Sequence, residues 1–315
     1  MGAEKLRLAI VGAGLIGRSW AIVFARAGHA VSIHDADAAA SRASLELIET
    51  ALADLEVTGL LNEPRASVRE RIRAVVTLAD CLRGAAYVQE NVGENLGLKK
   101  ALFAEIDRLA GPDAILASST STIPASQWRD GLAGRARCLV AHPVNPPHVV
   151  PLVELAPAPW TAPETVSRTK ALLEAAGQVP IIVRSELQGF VLNRLQGALL
   201  GEAFRLYADG YASLDDIDKA VRDGLGLRWS FMGPFETIDL NAPGGVADYC
   251  ARYGQPYFEI AQEQRPRRWD DALVRRIERE RREQLPAADL PSRAAWRDRR
   301  LMQLLAHKRR TRDND

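Results

Sequence analysis

The sequence contains little cysteine and no long hydrophobic segment. Its 315 residues include 3 cysteines, which are far apart and form no CxxC pair. A disulfide framework and a metal site are therefore not expected, and a reducing compartment fits. No apolar run approaches the roughly 18 residues of a membrane span. The first residues also lack the regions of a secretory signal, so we expect a cytoplasmic protein without membrane contact.

The net charge is close to zero, which gives little reason to expect a nucleic-acid partner. The formal charge is +1, with 26% charged and 47% hydrophobic residues, as in ordinary folded proteins. The distribution is uneven, because residues 265–315 contain 16 basic and 9 acidic residues. These charges alternate with apolar residues, a pattern typical of charged helix faces rather than of a nucleic-acid arm.

The length and the hydrophobic pattern predict two domains. Short apolar runs alternate with helical segments up to about residue 186, which indicates βαβ units and a mainly parallel, Rossmann-like sheet. From Leu187 onward the strand signals fade, and helical patterns such as Leu214 to Val221 follow. The predicted fold is an α/β domain over residues 1–186, followed by an all-helical domain over 187–315. The predicted strands are 6–11, 30–34, 74–77, 86–89, 114–117, 138–141 and 180–183.

A glycine fingerprint directly follows the first predicted strand. Gly12, Gly14 and Gly17 match G-x-G-x-x-G, with Leu15 and Ile16 opening the next helix. In this context the first glycine permits the tight turn, the second lets the backbone approach a pyrophosphate, and the third lets the helix pack on the strand. The free N–H groups of the helix N-terminus would face that pyrophosphate. A dinucleotide site is therefore predicted, although FAD uses the same turn.

Asp35, 18 residues after Gly17, ends the second predicted strand. A carboxylate there can accept hydrogen bonds from the ribose hydroxyls and would repel a 2′-phosphate, which favours NAD over NADP. Asp37 lies close enough to be an alternative, and Asp35 could instead be a turn or cap residue.

His142 and Glu154 are the candidate catalytic residues. His142 follows a buried strand, and Glu154 lies 12 residues further on in an apolar segment. Ligands of open α/β sheets bind beyond the strand ends, where a histidine can take a proton from an alcohol as hydride leaves the same carbon. A buried glutamate can orient the imidazole. His148 is the alternative histidine. A structural role is the alternative for His142 and for Glu154.

Several motifs over nearly the whole chain resemble the 3-hydroxyacyl-CoA dehydrogenase superfamily, and within it most closely the λ-crystallin branch of L-gulonate 3-dehydrogenases. These motifs are IVGAGLIGRSW at 10–20, STS at 119–121, VAHPVNPP at 140–147, PLVEL at 151–155, GFVLNRLQ at 189–196 and GLGLR at 224–228.

The resemblance implies roles for further residues. His142 would be the catalytic base with Glu154 as its partner, and the substrate oxygen would be held by Ser121, Asn145 and Asn193. Glu94 and Lys99 match cofactor-side positions. A turn, a loop brace and a helix-packing residue are the structural alternatives for Ser121, Asn145 and Asn193. A solvated helix face is the alternative for Glu94 and Lys99. The resemblance further implies a homodimer formed through the helical domain.

Arg228 separates two substrate classes within the superfamily. The acyl-CoA branch of the family lacks an arginine at this position. A guanidinium can bind the carboxylate of a free 3-hydroxy acid through two parallel hydrogen bonds, and a thioester has no such charge. A helix C-terminal cation or a subunit ion pair would also explain Arg228. The sequence therefore favours NAD-dependent oxidation of a free L-3-hydroxy acid of the L-gulonate type. L-3-hydroxyacyl-CoA and L-carnitine are alternative substrates, and a crystallin-like NAD(H)-binding structural protein is the non-enzymatic alternative.

Overall fold

The computed structural model describes residues 5–129, 131 and 133–312. These residues form two compact units. The first contains the residues up to 193 together with 291–312, and the second contains residues 194–290.

The first unit is built on one eight-stranded sheet with the order β3-β2-β1-β4-β5-β6-β7-β8. The first six strands pair in parallel, β7 runs antiparallel to β6, and β8 runs parallel to β7. This is the predicted Rossmann-like, mainly parallel sheet. The strands are β1 (Arg7–Val11), β2 (Ala30–His34), β3 (Ile72–Ala74), β4 (Tyr87–Glu90), β5 (Ile115–Ser118), β6 (Cys138–Pro143), β7 (Leu152–Pro157) and β8 (Val179–Ile182).

Fourteen α-helices lie within the described residues, and a π-helical segment (Ala220–Leu225) joins two of them. The helices are α1 (Leu15–Arg26), α2 (Ala38–Val57), α3 (Arg65–Glu70), α4 (Leu78–Leu82), α5 (Leu96–Leu109), α6 (Ala125–Arg129), α7 (Pro163–Ala175), α8 (Leu192–Ala208), α9 (Leu214–Lys219), α10 (Gly226–Trp229), α11 (Pro234–Leu240), α12 (Gly245–Glu263), α13 (Asp271–Gln284) and α14 (Leu290–Arg312). No helix among the described residues has the length and apolar character that crossing a membrane requires.

The sheet is covered on both faces, and strand β1 shows why. Its side chains alternate between two separate hydrophobic clusters, because neighbouring residues of a strand point to opposite faces. Leu8 and Ile10 join a cluster with Trp20 and Phe24 of α1, whereas Ala9 and Val11 belong to the cluster on the other face. Burial on both faces explains why the strands appear as continuous apolar runs in the sequence.

Two strands differ from the sequence-based prediction. The predicted third strand, residues 74–77, is displaced toward the N-terminus in β3, because Thr77 instead caps α4 by accepting a hydrogen bond from the Asp80 N–H. Strand β7 was not predicted, since its apolar run is interrupted by Glu154. The structure pairs it antiparallel with β6, so that His142 lies directly opposite Glu154.

The last helix of the chain returns to the sheet unit. Met302 and Ala306 of α14 are buried in the same cluster as Trp20. The division predicted from the sequence assigned residues 187–315 to one helical domain. The compact helical unit instead spans residues 194–290, because the apolar side of α14 is buried on the first unit.

Candidate active site

The glycine fingerprint forms a turn that only glycine fits at two positions. Gly12 has a φ of +96°, and a Cβ built there would lie 2.9 Å from the carbonyl carbon and oxygen of Asn91. A Cβ on Gly17 would lie 1.9 Å from the Gly12 carbonyl oxygen. The first strand, the turn and α1 therefore pack against each other through backbone atoms.

Gly14 leaves open space at the start of α1. A Cβ there would meet no atom within 4 Å, and Gly14 caps the helix without any side-chain hydrogen bond. Leu15 and Ile16 follow as the first helical residues, whose N–H groups have no partner inside the helix. Leu15 is 46% exposed, and Ile16 packs against the core. An exposed helix N-terminus on a glycine turn fits the pyrophosphate of NAD.

Asp35 lies beside this turn at the end of β2. Its Oδ2 accepts a hydrogen bond from the Ala13 N–H at 2.7 Å, and its Oδ1 accepts one from the Asp37 N–H at 3.0 Å. Asp37, the alternative, is instead the N-cap of α2 and accepts from the Ala39 N–H at 2.8 Å. Of the two carboxylates, Asp35 is thus the one in direct contact with the glycine turn.

His142 and Glu154 face each other across the β6–β7 pair. The His142 Nδ1 lies 2.8 Å from the Glu154 Oε2, and the two residues are 5% and 0% exposed. The second carboxylate oxygen, Oε1, accepts hydrogen bonds from the N–H groups of Val191 and Leu192 at 2.8 and 2.9 Å. Both oxygens of this buried carboxylate are therefore satisfied.

These hydrogen bonds determine the protonation of the pair. Burial by itself raises the pKa of Glu154, but the hydrogen bonds from His142, Leu192 and Val191 outweigh it, so the pKa is lowered. An ionised carboxylate can only accept, so Nδ1 of His142 must carry a proton. The neutral imidazole then has its lone pair on Nε2, which is the nitrogen that can act as a base.

Ser121, Asn193 and Glu94 are brought together in the same unit. The Asn193 Nδ2 donates to the Ser121 carbonyl oxygen at 3.2 Å. The Glu94 carboxylate accepts from the Thr120 hydroxyl at 2.8 Å and also from the Ser121 N–H. Ser121 follows β5 and His142 lies in the neighbouring parallel strand β6, so both lie toward the carboxyl ends of these strands.

Lys99 is neither on a solvated helix face nor exposed to a ligand. Its side chain is 1% exposed, and its Nζ contacts the two Glu90 carboxylate oxygens at 2.9 and 3.0 Å. The same ammonium donates to the Val92 carbonyl oxygen at 3.2 Å. Lys99 therefore braces the segment that leads to Glu94. This arrangement differs from the expectation of a cofactor-side contact, because Glu90 holds the ammonium inside the protein.

The remaining predicted residues lie in different places. Asn145 is exposed in the loop after β6, where its peptide bond to Pro146 is cis. Arg228 is exposed on α10, in the helical unit.

His148 is buried against α1, with Nδ1 3.0 Å from the Ser19 hydroxyl. Burial lowers its pKa to about 4, with a further contribution from Arg26. His148 is thus a packed structural residue.

Sequence reasoning missed three polar residues that support this region. Glu90 ends the fully buried strand β4, and Ser118 donates to its Oε2 at 2.5 Å. Thr120 donates to Glu94. A carboxylate in an apolar segment is a signal that the sequence offers at Glu90 as it does at Glu154. The serine and threonine carry no comparable signal.

Comparison with known proteins shows the family to which the chain belongs. The family model for the NAD-binding domain of 3-hydroxyacyl-CoA dehydrogenases matches residues 7–186. The model for the C-terminal domain of the same family matches residues 189–284. The mouse λ-crystallin homolog is 43% identical over 300 residues, covering 94% of both chains. L-carnitine dehydrogenase of Pseudomonas putida is 38% identical over 252 residues, covering 80% of this chain and 78% of the relative.

A solved structure is also similar over almost its full length. The NAD⁺-dependent dismutase 5-formyl-3-hydroxy-2-methylpyridine 4-carboxylic acid 5-dehydrogenase aligns with a TM-score of 0.80 at 28% identity, covering 97% of this chain and 98% of that chain.

The fold and the site together define an NAD-dependent oxidoreductase that acts on CH–OH groups. The chain belongs to the 3-hydroxyacyl-CoA dehydrogenase family. The resemblance that the sequence motifs indicated is thereby confirmed, as is NAD as the cofactor.

Proposed function

We propose that this protein oxidises the 3-hydroxyl group of a free L-3-hydroxy acid, of the L-gulonate type, to the 3-keto acid. The observation that carries the proposal is the buried His142–Glu154 pair, in which the ionised carboxylate accepts a hydrogen bond from Nδ1–H and leaves Nε2 as the base. NAD supplies the hydride acceptor when bound. The 3-hydroxy-acid specificity rests on Arg228 and on the resemblance to the gulonate branch.

Each protein group has a defined task in this reaction. His142 Nε2 would take the hydroxyl proton as the C=O bond forms, and NAD, if held at the Gly12–Gly17 turn, would accept the hydride from C3. The Glu154 carboxylate stabilises the resulting imidazolium through the 2.8 Å hydrogen bond. The Ser121 hydroxyl and the Asn193 amide, with Asn145 from the neighbouring loop, would hold the substrate oxygen in line with Nε2.

Recognition of a free acid is the proposed role of Arg228. A guanidinium binds a carboxylate with two charge-assisted hydrogen bonds, whereas a thioester offers no charge at the same position. Two similar proteins carry free acids in their names or chemistry: the pyridine-4-carboxylic acid dehydrogenase and L-carnitine dehydrogenase. Both names are compatible with a free acid as substrate.

The function is tested by the formation of NADH from L-gulonate, L-carnitine, L-3-hydroxybutyrate and the CoA ester of the last. We expect the highest kcat/KM with L-gulonate. His142→Ala should lower kcat by about a hundredfold to ten-thousandfold, because the general base is lost. Its affinity for NADH, measured by fluorescence titration, should stay unchanged. Preference for the CoA ester, or full turnover by His142→Ala, would contradict the proposal.

The proposed carboxylate contact predicts a selective effect of Arg228→Met. The KM for a free 3-hydroxy acid should rise by about tenfold to a hundredfold, since charge-assisted hydrogen bonds to the carboxylate are lost. The KM for an acyl-CoA ester should change little. Arg222→Met is the matched control, because this exposed arginine in the same unit is paired with Asp223 at 2.7 Å. Equal effects of both variants would remove the argument for Arg228.

L-carnitine is a second candidate because of the aromatic residues near Arg228. The rings of Tyr249 and Tyr253 are 4.7 Å apart, and the hydroxyls of Tyr249 and Tyr257 are 3.1 Å apart. The hydrogen bond to Tyr257 raises the pKa of Tyr249, and the nearby charge of Arg228 acts in the opposite direction. Aromatic faces beside a carboxylate-binding cation suit a quaternary ammonium acid. The kcat/KM for L-carnitine, compared with that for L-gulonate, decides between these two substrates.

We also propose a homodimer formed through the helical unit. Within residues 194–290 only Tyr207, Thr237, Ala242 and Leu273 are buried. Helix α12 has no buried residue, although apolar residues recur along one side at helical spacing, namely Val246, Tyr249, Tyr253, Tyr257 and Ile260. An amphipathic helix whose apolar side is exposed indicates a protein interface.

Cytoplasmic location remains a prediction from the sequence.

Light scattering after size exclusion tests the homodimer. The mass should be twice the 34.5 kDa of one chain. Ile260→Asp, which puts a charge on an apolar residue of this side of α12 that is 46% exposed, should shift the equilibrium toward monomer. The matched control is Glu259→Ala on the same helix. A monomeric wild-type protein at micromolar concentration would contradict the proposal.

A further inference from the structure

The turn before α8 has an unusual backbone conformation. Gly189 has a φ of +77° and Phe190 a φ of +50°. Among the described residues, Phe190 is the only residue other than glycine with a positive φ. A bulky side chain disfavours this left-handed conformation, so such a residue persists only where its surroundings hold it.

Two contacts hold Phe190 in this conformation. Its side chain is 0% exposed within one of the two core clusters, and its ring centroid lies 5.4 Å from that of His142. Its N–H donates to the Leu187 carbonyl oxygen at 3.0 Å and closes the turn. The apolar burial of the ring thus compensates for the backbone strain.

The left-handed turn directs two successive backbone N–H groups at one oxygen. The N–H groups of Val191 and Leu192 both donate to Glu154 Oε1. Successive N–H groups of this kind form a concave binding site for an anion. Leu192 is also the first residue of α8, so the partial positive charge of the helix N-terminus favours the ionised carboxylate.

This use of Glu154 distinguishes α8 from other helices of the chain. Helices α5, α9 and α13 are capped by the side chain of their own N-cap residue, Asn95, Ser213 and Asp270. At the start of α8, the Leu192 N–H instead donates to the Glu154 carboxylate of β7, which lies 38 residues earlier in the sequence. The carboxylate that orients the catalytic histidine is therefore the same group that satisfies the start of α8.

We propose that the Gly189–Phe190 turn is a positioning element for the reaction, with Phe190 as a positioning residue. By fixing Oε1 of Glu154, the turn sets Oε2 against His142 Nδ1 and keeps the carboxylate ionised. This inference rests on the proposed function, because it assigns the turn to the base of that reaction. Gly189 and Phe190 do not touch the reacting atoms.

A matched pair of glycine variants tests the proposal. Gly189→Ala places a Cβ on a left-handed residue of the turn. Gly177→Ala does the same at a φ of +78°, in open space after α7. Both should lower the melting temperature by a similar amount. Gly189→Ala should also lower kcat about tenfold to a hundredfold at nearly unchanged KM, because a misplaced base slows chemistry more than binding. Gly177→Ala should leave kcat near the wild-type value, because the Gly177 N–H donates to the Glu174 carbonyl oxygen and not to Glu154.

Hydrogen exchange of the Val191 and Leu192 amides gives a readout that needs no substrate. These amides should lose protection in Gly189→Ala and keep it in Gly177→Ala. If the wild type oxidises a 3-hydroxy acid and Gly189→Ala retains full kcat, the inference is wrong while the proposed function stands. If the wild type oxidises none of the tested acids, the proposed function is wrong, and unchanged exchange in Gly189→Ala would overturn the inference independently.

A second pair of variants applies if Gly189→Ala does not fold. Phe190→Gly and Phe190→Ala remove the same ring, but only glycine adopts the left-handed conformation without strain. We expect kcat of Phe190→Gly to exceed that of Phe190→Ala by about fivefold or more, corresponding to about 1 kcal/mol in the barrier. A purely structural role of the turn predicts a higher melting temperature for Phe190→Gly than for Phe190→Ala, but equal kcat values. Equal kcat values, or a higher value for alanine, would overturn the proposal.

Discussion

The buried carboxylate of Glu154 is the interaction on which the candidate site depends. It joins three parts of the chain, because strand β7 carries it, His142 of β6 contacts one oxygen, and the turn before α8 donates to the other. An ionised carboxylate without exposure to water is costly unless every oxygen is satisfied. The antiparallel β6–β7 pair and the left-handed turn are therefore both conditions for the observed orientation of His142.

A second buried carboxylate, that of Glu90, organises the segment that leads to Glu94. The Glu90–Lys99 pair is 0% and 1% exposed, and the hydroxyl of Ser118 completes it. Loss of one partner would leave an uncompensated buried charge, which typically costs about 3–5 kcal/mol. The pair fixes the segment from Val92 toward Glu94, which in turn contacts Thr120 and Ser121. Two fully buried carboxylates thus hold the segments that carry His142 and Ser121.

The sequence predicts local features of this protein better than long-range ones. The glycine turn, Asp35 and the His142–Glu154 pair were identified because each has a local pattern of spacing and polarity. The antiparallel β7, the pairing of Lys99 with Glu90 and the return of α14 to the sheet depend on contacts between distant residues, which no local pattern specifies. The left-handed conformation of Phe190 could not be predicted for another reason. The preceding glycine indicates a turn, but a phenylalanine gives no sign of a positive φ.

The protonation of His142 tests the central claim most directly. In protein with ¹⁵N-labelled histidine, NMR at a pH where the ring is neutral should give a low-field proton coupled to Nδ1 of His142. Its assignment follows from its absence in His142→Ala, which also separates it from the buried His148. The account predicts a neutral ring protonated at Nδ1, with the lone pair on Nε2. A neutral ring protonated at Nε2 would contradict it, because that nitrogen could not accept the substrate proton.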